Sequence, residues 1–317
     1  MTKKHIIWGG MISLLAVVAY ANTTSGLLPT SDGDYRQWTP KSGSTHYTQV
    51  DESSCNGTSD YNSTNSVGNR DSYGLNLTEI SNGSQITKIE IKPCASRNAN
   101  GNGSATLNVF YRLNSVSSAD AGAYSLTGTT PVELASTAFN GLSVIKTSAT
   151  TLQSGVVLTS GNKGARLSRI ATTVTFTPLA SPTNLVAVPT STQIGLTWND
   201  NSTFEDNFVI ERRNVTASTT FATLATVSTN TVSYNDAGVV ASTTYSYRVR
   251  ASNIGGYSPY SNTANALYSG LPPYSQSAYY SQSGYYAQSA YYSQSSYYAQ
   301  SVYYSQASYS TTSPSRL

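Results

Sequence analysis

Apolar side chains at every second position restrict the fold of this sequence more than any other feature. "QIGLTW" sets Ile194, Leu196 and Trp198 two residues apart, and "NFVIERR" repeats the pattern with Phe208 and Ile210. "ATLNVFYRL" aligns Leu107, Val109, Tyr111 and Leu113, and "SRIATTVTF" aligns Ile170, Thr172, Val174 and Phe176. Successive side chains of a strand point to opposite faces, so this spacing predicts strands with one face in a core. Helix formers are sparse while β-branched and aromatic residues abound, and the expected class is all-β. Set apart the two ends of the chain and roughly 250 residues remain, enough for two sandwich-sized domains.

The N-terminus reads as an address. Lys3 and Lys4 precede the apolar stretch Ile6 to Val18, and Ala19-Tyr20-Ala21 is an A-x-A cleavage site. The stretch is shorter than the roughly 20 apolar residues of a membrane span, so residues 1–21 are expected to be a secretory signal peptide, with a retained anchor as the alternative. No Cys follows the site, and no second apolar stretch of spanning length occurs. The expected location is secreted, extracellular or at the cell surface, with no membrane span after cleavage. Removing Lys3 and Lys4 takes the formal net charge from +3 to +1, which leaves no electrostatic footprint for nucleic acid. In an oxidising compartment the two cysteines, Cys55 and Cys94, are expected to form one disulfide; two buried free thiols are the alternative.

Residues 181–267 carry the clearest strand pattern. "TNLVAVP" puts Leu185 and Ala187 on one face and Val186 and Val188 on the other. In "TTYSYRVRASNIGGYS", Tyr245, Tyr247, Val249 and Ala251 face inward and Arg248 and Arg250 outward, and Glu211 is expected to face outward in its own strand. The strand residue Trp198, the run "DNSTFEDNFVIER", and Asp236 to Val240 leading into "TTYSYRVRA" resemble a fibronectin type III domain. The resemblance implies an immunoglobulin-like β-sandwich with Trp198, Tyr245, Tyr247 and Val249 in its core. It also implies a tyrosine corner at Tyr245, the hydroxyl bonded to backbone that precedes its strand. Such domains serve as spacers, adhesion modules and partners of carbohydrate-active domains. No Arg-Gly-Asp tripeptide occurs.

Residues 33–178 are expected to form a jelly-roll-like β-sandwich, with residues 22–32 as a linker before it. "QITKIEIKP" adds a strand, and "ASRNANGNGS" is loop chemistry. The opening "DGDYRQWTPKSGSTHYTQVDE" and closing "LQSGVVLTSG" loosely resemble sandwich modules of bacterial and phage surface proteins.

No motif in the sequence assembles a catalytic site. His46 is the single histidine after residue 21, and no G-x-S-x-G elbow accompanies it, so a surface or strand residue is expected. The acids Asp51, Glu52, Asp60, Asp71, Glu79, Glu90, Asp120 and Glu133 show no spacing that selects a glycosidase pair. Asp32 and Asp34 in "SDGDY" have the hard oxygens for Ca²⁺ without the spaced ligands of a dedicated loop; a solvated acidic turn is the plainer reading. No cofactor is expected. Tyr35, Trp38 and Tyr47 are the candidates for stacking on a sugar ring, with core packing as their other use.

The C-terminal segment 268–317 is of a different kind. Tyrosine pairs recur every six residues: Tyr279 with Tyr280, Tyr285 with Tyr286, Tyr291 with Tyr292, Tyr297 with Tyr298, and Tyr303 with Tyr304. Ser, Gln, Ala and Gly fill most of the intervals, and residues 274–309 carry no charge. A period of six smears around a helix but keeps register on a strand. One face would then read Tyr279, Ser281, Ser283, Tyr285, and the other Tyr280, Gln282, Gly284, Tyr286. Stacked copies could form cross-β ladders, whereas a single copy has no core to offset ordering of roughly 1–2 kcal/mol per residue. Disorder alone and self-association in company are the expectation, with a plain spacer as the alternative. The whole chain reads as a non-catalytic adhesion, binding or surface-assembly protein whose partners are itself, through the tail, or envelope and extracellular glycans. The rival is a carbohydrate-binding or carbohydrate-active protein with its site in residues 33–178.

Overall fold

The computed structural model describes residues 21–55, 59–99 and 103–270. The signal pattern of residues 1–20 lies outside the described residues. So do all ten tyrosines expected to mediate self-association: Tyr279 and Tyr280, Tyr285 and Tyr286, Tyr291 and Tyr292, Tyr297 and Tyr298, Tyr303 and Tyr304. The described chain is all-β, two sandwiches in sequence, and the first is jelly-roll-like.

In the first sandwich, one sheet has eight strands and centres on the pair Gln85–Arg97 and Ala165–Thr177. The other has six and centres on Ala105–Leu113, Leu152–Gly161 and Arg70–Leu75. All pairings are antiparallel, and the chain crosses between sheets after Arg97 and after Gly161. The alternating residues meet between the sheets: Ile86, Ile89, Ile91, Leu107, Val109, Val156, Leu158, Ile170 and Val174 are all fully buried. Each such aliphatic side chain stabilises by about 1.5–3 kcal/mol, which is why the sheets stay face to face. Cys55 and Cys94 are joined, with Cα atoms 5.6 Å apart, and tie the loop after Val50 to the Gln85–Arg97 strand. Closing a loop of that length stabilises by about 4 kcal/mol in the chain-entropy view.

Residues 22–32 are not a linker. Asn22–Thr23 pairs with Phe176 and Thr175, buried Leu27 bridges to Thr172, and Pro29–Arg36 is the edge strand beside Arg70–Leu75. The apolar signal in this stretch is confined to Leu27 and Leu28, too short to display a period.

The second sandwich packs a three-stranded sheet (Thr183–Pro189, Ile194–Asn199, Ser233–Asp236) on a five-stranded one. The larger sheet runs Ala222–Ser228, Asn207–Asn214, Thr243–Asn253 and Gly256–Tyr257, with Ala264–Tyr268 also paired to Thr243–Asn253. Leu196, Trp198, Phe208, Ile210, Tyr245, Tyr247 and Val249 form its core. The Val240 N–H donates to the Tyr245 hydroxyl (3.0 Å), the corner contact. Tyr247 donates to the buried Asp236 carboxylate (2.8 Å), which also binds Arg212 (2.7 Å). The turn after Asn253 seats on the first sandwich: Asn253 Nδ2 donates to the Gly83 carbonyl (2.9 Å). Any Cβ at Gly255 would collide with the Lys146 carbonyl and the Gly83 backbone, so that turn needs glycine.

Trp198 is 3% exposed, its ring 5.9 Å from that of Phe208. Trp198→Ala is therefore expected to cost about 3–5 kcal/mol through the cavity it leaves. Urea unfolding followed by far-UV circular dichroism measures this; an unchanged midpoint would place Trp198 outside the core.

Candidate binding face

In an antiparallel pair, residues directly opposite share a face. The register sets Glu211 opposite Arg248 and Val209 opposite Arg250, so Glu211, Arg248 and Arg250 meet on the outer side of the larger sheet. Glu211 does not project into water as the alternation alone implies. It is 5% exposed and accepts from Arg248 Nε (2.7 Å), Arg250 Nη2 (3.2 Å) and the Tyr260 hydroxyl (2.8 Å). Burial alone would push its carboxyl up; the bonds from Tyr260 and Arg248, with both guanidinium charges, outweigh this and hold it below the usual carboxylate range. Burial and the bond to Glu211 push the Tyr260 phenol up.

Around this carboxylate the face continues as alternating guanidinium and ring. Arg213 lies 4.9 Å from the Phe221 centroid, and Arg248 lies 4.2 Å from Phe221 and 3.6 Å from Tyr260. Arg250 lies 4.7 Å from Tyr260 and 3.8 Å from Tyr257. The row holds three guanidinium charges and one carboxylate, of which Arg248 and Arg250 pair with Glu211, so it is net positive. Tyr257, at its end, is 56% exposed. Each such contact contributes about 0.5–1 kcal/mol at an exposed site, enough to hold the row in place without closing it off. Sequence reasoning put Arg248 and Arg250 outward but missed the row. The available signal was "YRVRASNIGGYSPY", two outward arginines followed across a short turn by Tyr257 and Tyr260.

The first sandwich uses its candidates internally. Trp38 is buried and its indole N–H donates to the Asn69 carbonyl (3.0 Å), so it cannot stack on a ligand. Tyr35 stands edge-on to Phe110 (5.7 Å) with Arg112 over its ring at 4.9 Å, and Tyr47 is half-buried against the core. Burial thus takes Trp38 away from any ligand, and Tyr35 and Tyr47 are each partly buried. An open pocket of ≈ 370 Å³ is lined by Ser25–Thr30, Asp51, Asn76, Thr78 and Glu79, none of them aromatic. Asp32 accepts from the His46 and Tyr47 amides (2.8 Å each), and Asp34, its side chain exposed, pairs with Arg112 (2.9 Å), so both carboxylates already serve protein donors. Among the described residues no group of three or more His, Cys, Asp or Glu is arranged to hold a metal ion.

His46 is not a surface residue. It is buried, with Nδ1 2.9 Å from Asp71 Oδ1. Tyr73 donates to the same carboxylate (2.8 Å), and Asn62 Nδ2 donates to the Tyr73 hydroxyl (3.1 Å) and the His46 carbonyl (2.8 Å). Burial pushes Asp71 up to about 6, against the lowering effect of His46. Twenty-five residues separate His46 from Asp71, and only the folded sheet brings them together.

No known protein-family profile matches the chain, and no curated protein does. Solved structures do. An Fn3-like protein from Clostridium thermocellum is 30% identical over 27% of this chain and 90% of its own, with a TM-score of 0.25. The FN3 domain of human collagen XX is 22% identical over 28% of this chain and 90% of its own, TM-score 0.25. A redesigned β-sandwich protein is 20% identical over 29% and 96%, TM-score 0.26. These neighbours are fibronectin type III-like or β-sandwich proteins, each matching under a third of this chain.

The loop tied down by the disulfide holds one further carboxyl of interest. Burial, with Asp60 and Asp51 nearby, pushes Glu52 up to about 7, and no protein donor reaches its Oε2. A group whose folded value lies above its unfolded value of about 4.3 keeps its proton in the fold after the unfolded chain has lost it. Its stabilising contribution is full below the unfolded value and lost as pH rises through about 7. Asp71 acts in the same direction at lower pH. Thermal melts should therefore fall between pH 5 and pH 8, and Glu52→Gln should flatten the part of the fall above pH 6. Parallel profiles for parent and variant would contradict this.

Proposed function

We propose that this chain is a non-catalytic binding and assembly protein of the cell exterior, with copies joined or attached to a surface through the tyrosine-pair segment. The observation that carries this reading is the solvent-facing row of arginines and rings on the second sandwich. It reads as a recognition surface, whereas the His46–Asp71–Tyr73 cluster of the first sandwich is closed on its own partners. Export is supported by the signal pattern at residues 1–21 and by the Cys55–Cys94 disulfide, which persists in oxidising compartments. No helix of the described residues is long and apolar enough to cross a membrane. The low charge of the chain, with 10% of residues ionisable as Asp, Glu, Lys or Arg, leaves little repulsion between copies.

Association through residues 274–309 draws on aromatic contacts of about 0.5–1.5 kcal/mol each, which act together when several pairs engage. Light scattering on the mature chain should give a mass that rises with concentration. A chain ending at Gly270 should stay monomeric. Because the segment is uncharged, NaCl should alter association only slightly. Equal, monomeric behaviour of both chains at high concentration would reduce the segment to a spacer.

A further inference from the structure

We propose that the Arg213–Phe221–Arg248–Tyr260–Arg250–Tyr257 row is the docking site for the tyrosine-pair segment of this same chain, from its own copy or a neighbour's. This rests on the reading that the segment associates, and it names the surface that receives it.

The row already displays the contact it would repeat. Tyr260 lies with its ring 3.6 Å from the Arg248 guanidinium while its hydroxyl donates to Glu211. A guanidinium plane flanked by rings recognises a flat, electron-rich ring, and a phenol adds a hydroxyl that donates to a carboxylate or accepts from a guanidinium. The segment 274–309 offers that group and no competing charge: its ionisable side chains are all tyrosines. At the exposed end of the row, Tyr257 and Arg250 leave a ring and part of a guanidinium open to a second layer of rings.

Chain continuity places the segment within reach. Ala264–Tyr268 pairs with Thr243–Asn253, the strand that carries Arg248 and Arg250, with Tyr268 opposite Thr243. From Thr243 to Arg248 is roughly 17 Å along a strand. The residues from Gly270 to Tyr279 span up to about 30 Å when extended, so the first pair, Tyr279 and Tyr280, reaches the row of its own copy. The pairs from Tyr285 to Tyr304 extend beyond it. One row per chain set against five pairs per chain makes the segment multivalent: a pair held on its own sandwich leaves four for neighbouring rows. Docking on a row thus joins copies without requiring segments to stack on one another.

The test is a fluorescent peptide of residues 277–288, titrated by anisotropy onto the full mature chain with one Tyr of each pair changed to Ser, which frees the row. Saturable binding is expected. In the same background Arg213→Gln, Arg250→Gln and Tyr257→Ser together should weaken it about ten-fold or more with the melting profile of the second sandwich retained. Arg213→Lys with Arg250→Lys keeps charge but not the planar stack, and should bind as weakly as the Gln version. No binding to the freed row, binding unchanged by the Gln/Ser version, or full binding by the Lys version would each overturn the proposal. If the peptide fails while the parent chain still associates, the segments join to one another and the assembly reading stands without this receptor. If the peptide binds while the parent stays monomeric, docking is within one copy and assembly is what fails.

Discussion

A sheet that buries one face must do something with the other, and most of the specific features of this molecule follow from how its sheets treat their outer sides. On the six-stranded sheet, Phe110 points away from the core and yet is fully buried. It lies beneath Tyr35 and Arg70 and fits because residue 155, its cross-strand partner, is glycine; a Cβ there would strike the ring. Arg70 is held in turn by both oxygens of Asp120. On the five-stranded sheet the outer side is organised by Glu211, whose desolvation is tolerable only because Arg248, Arg250 and Tyr260 all donate to it. Both solutions put an arginine over an aromatic ring. The first is roofed over, and the second stays open at Tyr257.

Charge is scarce in this chain and is spent locally. Lys88 pairs with Glu90, Lys92 and Arg169 with Glu133, and Arg212 with Asp236. Such pairs contribute little where solvent reaches them, and they leave a nearly neutral exterior dominated by hydroxyl and amide groups. Against that background the row is the exception: Arg248 and Arg250 share Glu211, and Arg213 faces no carboxylate in the row. A surface of this kind recognises rings by shape and polarisability more than by long-range attraction, which suits a partner as neutral as residues 274–309.

Much of the architecture was legible because it depends on the period of two. The strands around Ile194, Phe208, Tyr245, Leu107 and Ile170 lie where their alternation puts them, and the inward sets form the two cores. What the period cannot encode is register. Whether Glu211 sits alone or opposite Arg248, and whether Asp71 meets His46, depends on which strands pair and at what offset. Short edge strands were equally opaque. Asn22–Thr23 and Pro29–Arg36 are held by backbone hydrogen bonds to longer neighbours, and their own side chains carry almost no apolar pattern. Trp38 shows the limit of reading by residue type: an indole in a polar loop segment looks available, but a single bond to the Asn69 carbonyl and burial beneath the sandwich remove it from solvent.

The central claim is that the open row on the second sandwich receives the tyrosine-pair segment. The most direct measurement is the set of arginine side-chain Nε–Hε signals in ¹⁵N NMR, compared between a chain of residues 22–317 and one of residues 22–270, which retains every described strand. If rings from the segment stack on the row, the Arg250 and Arg213 signals in the longer chain shift upfield by ring current while those of Arg70 and Arg112, on the first sandwich, stay in place. Superimposable Arg213, Arg248 and Arg250 signals in the two chains would contradict the account.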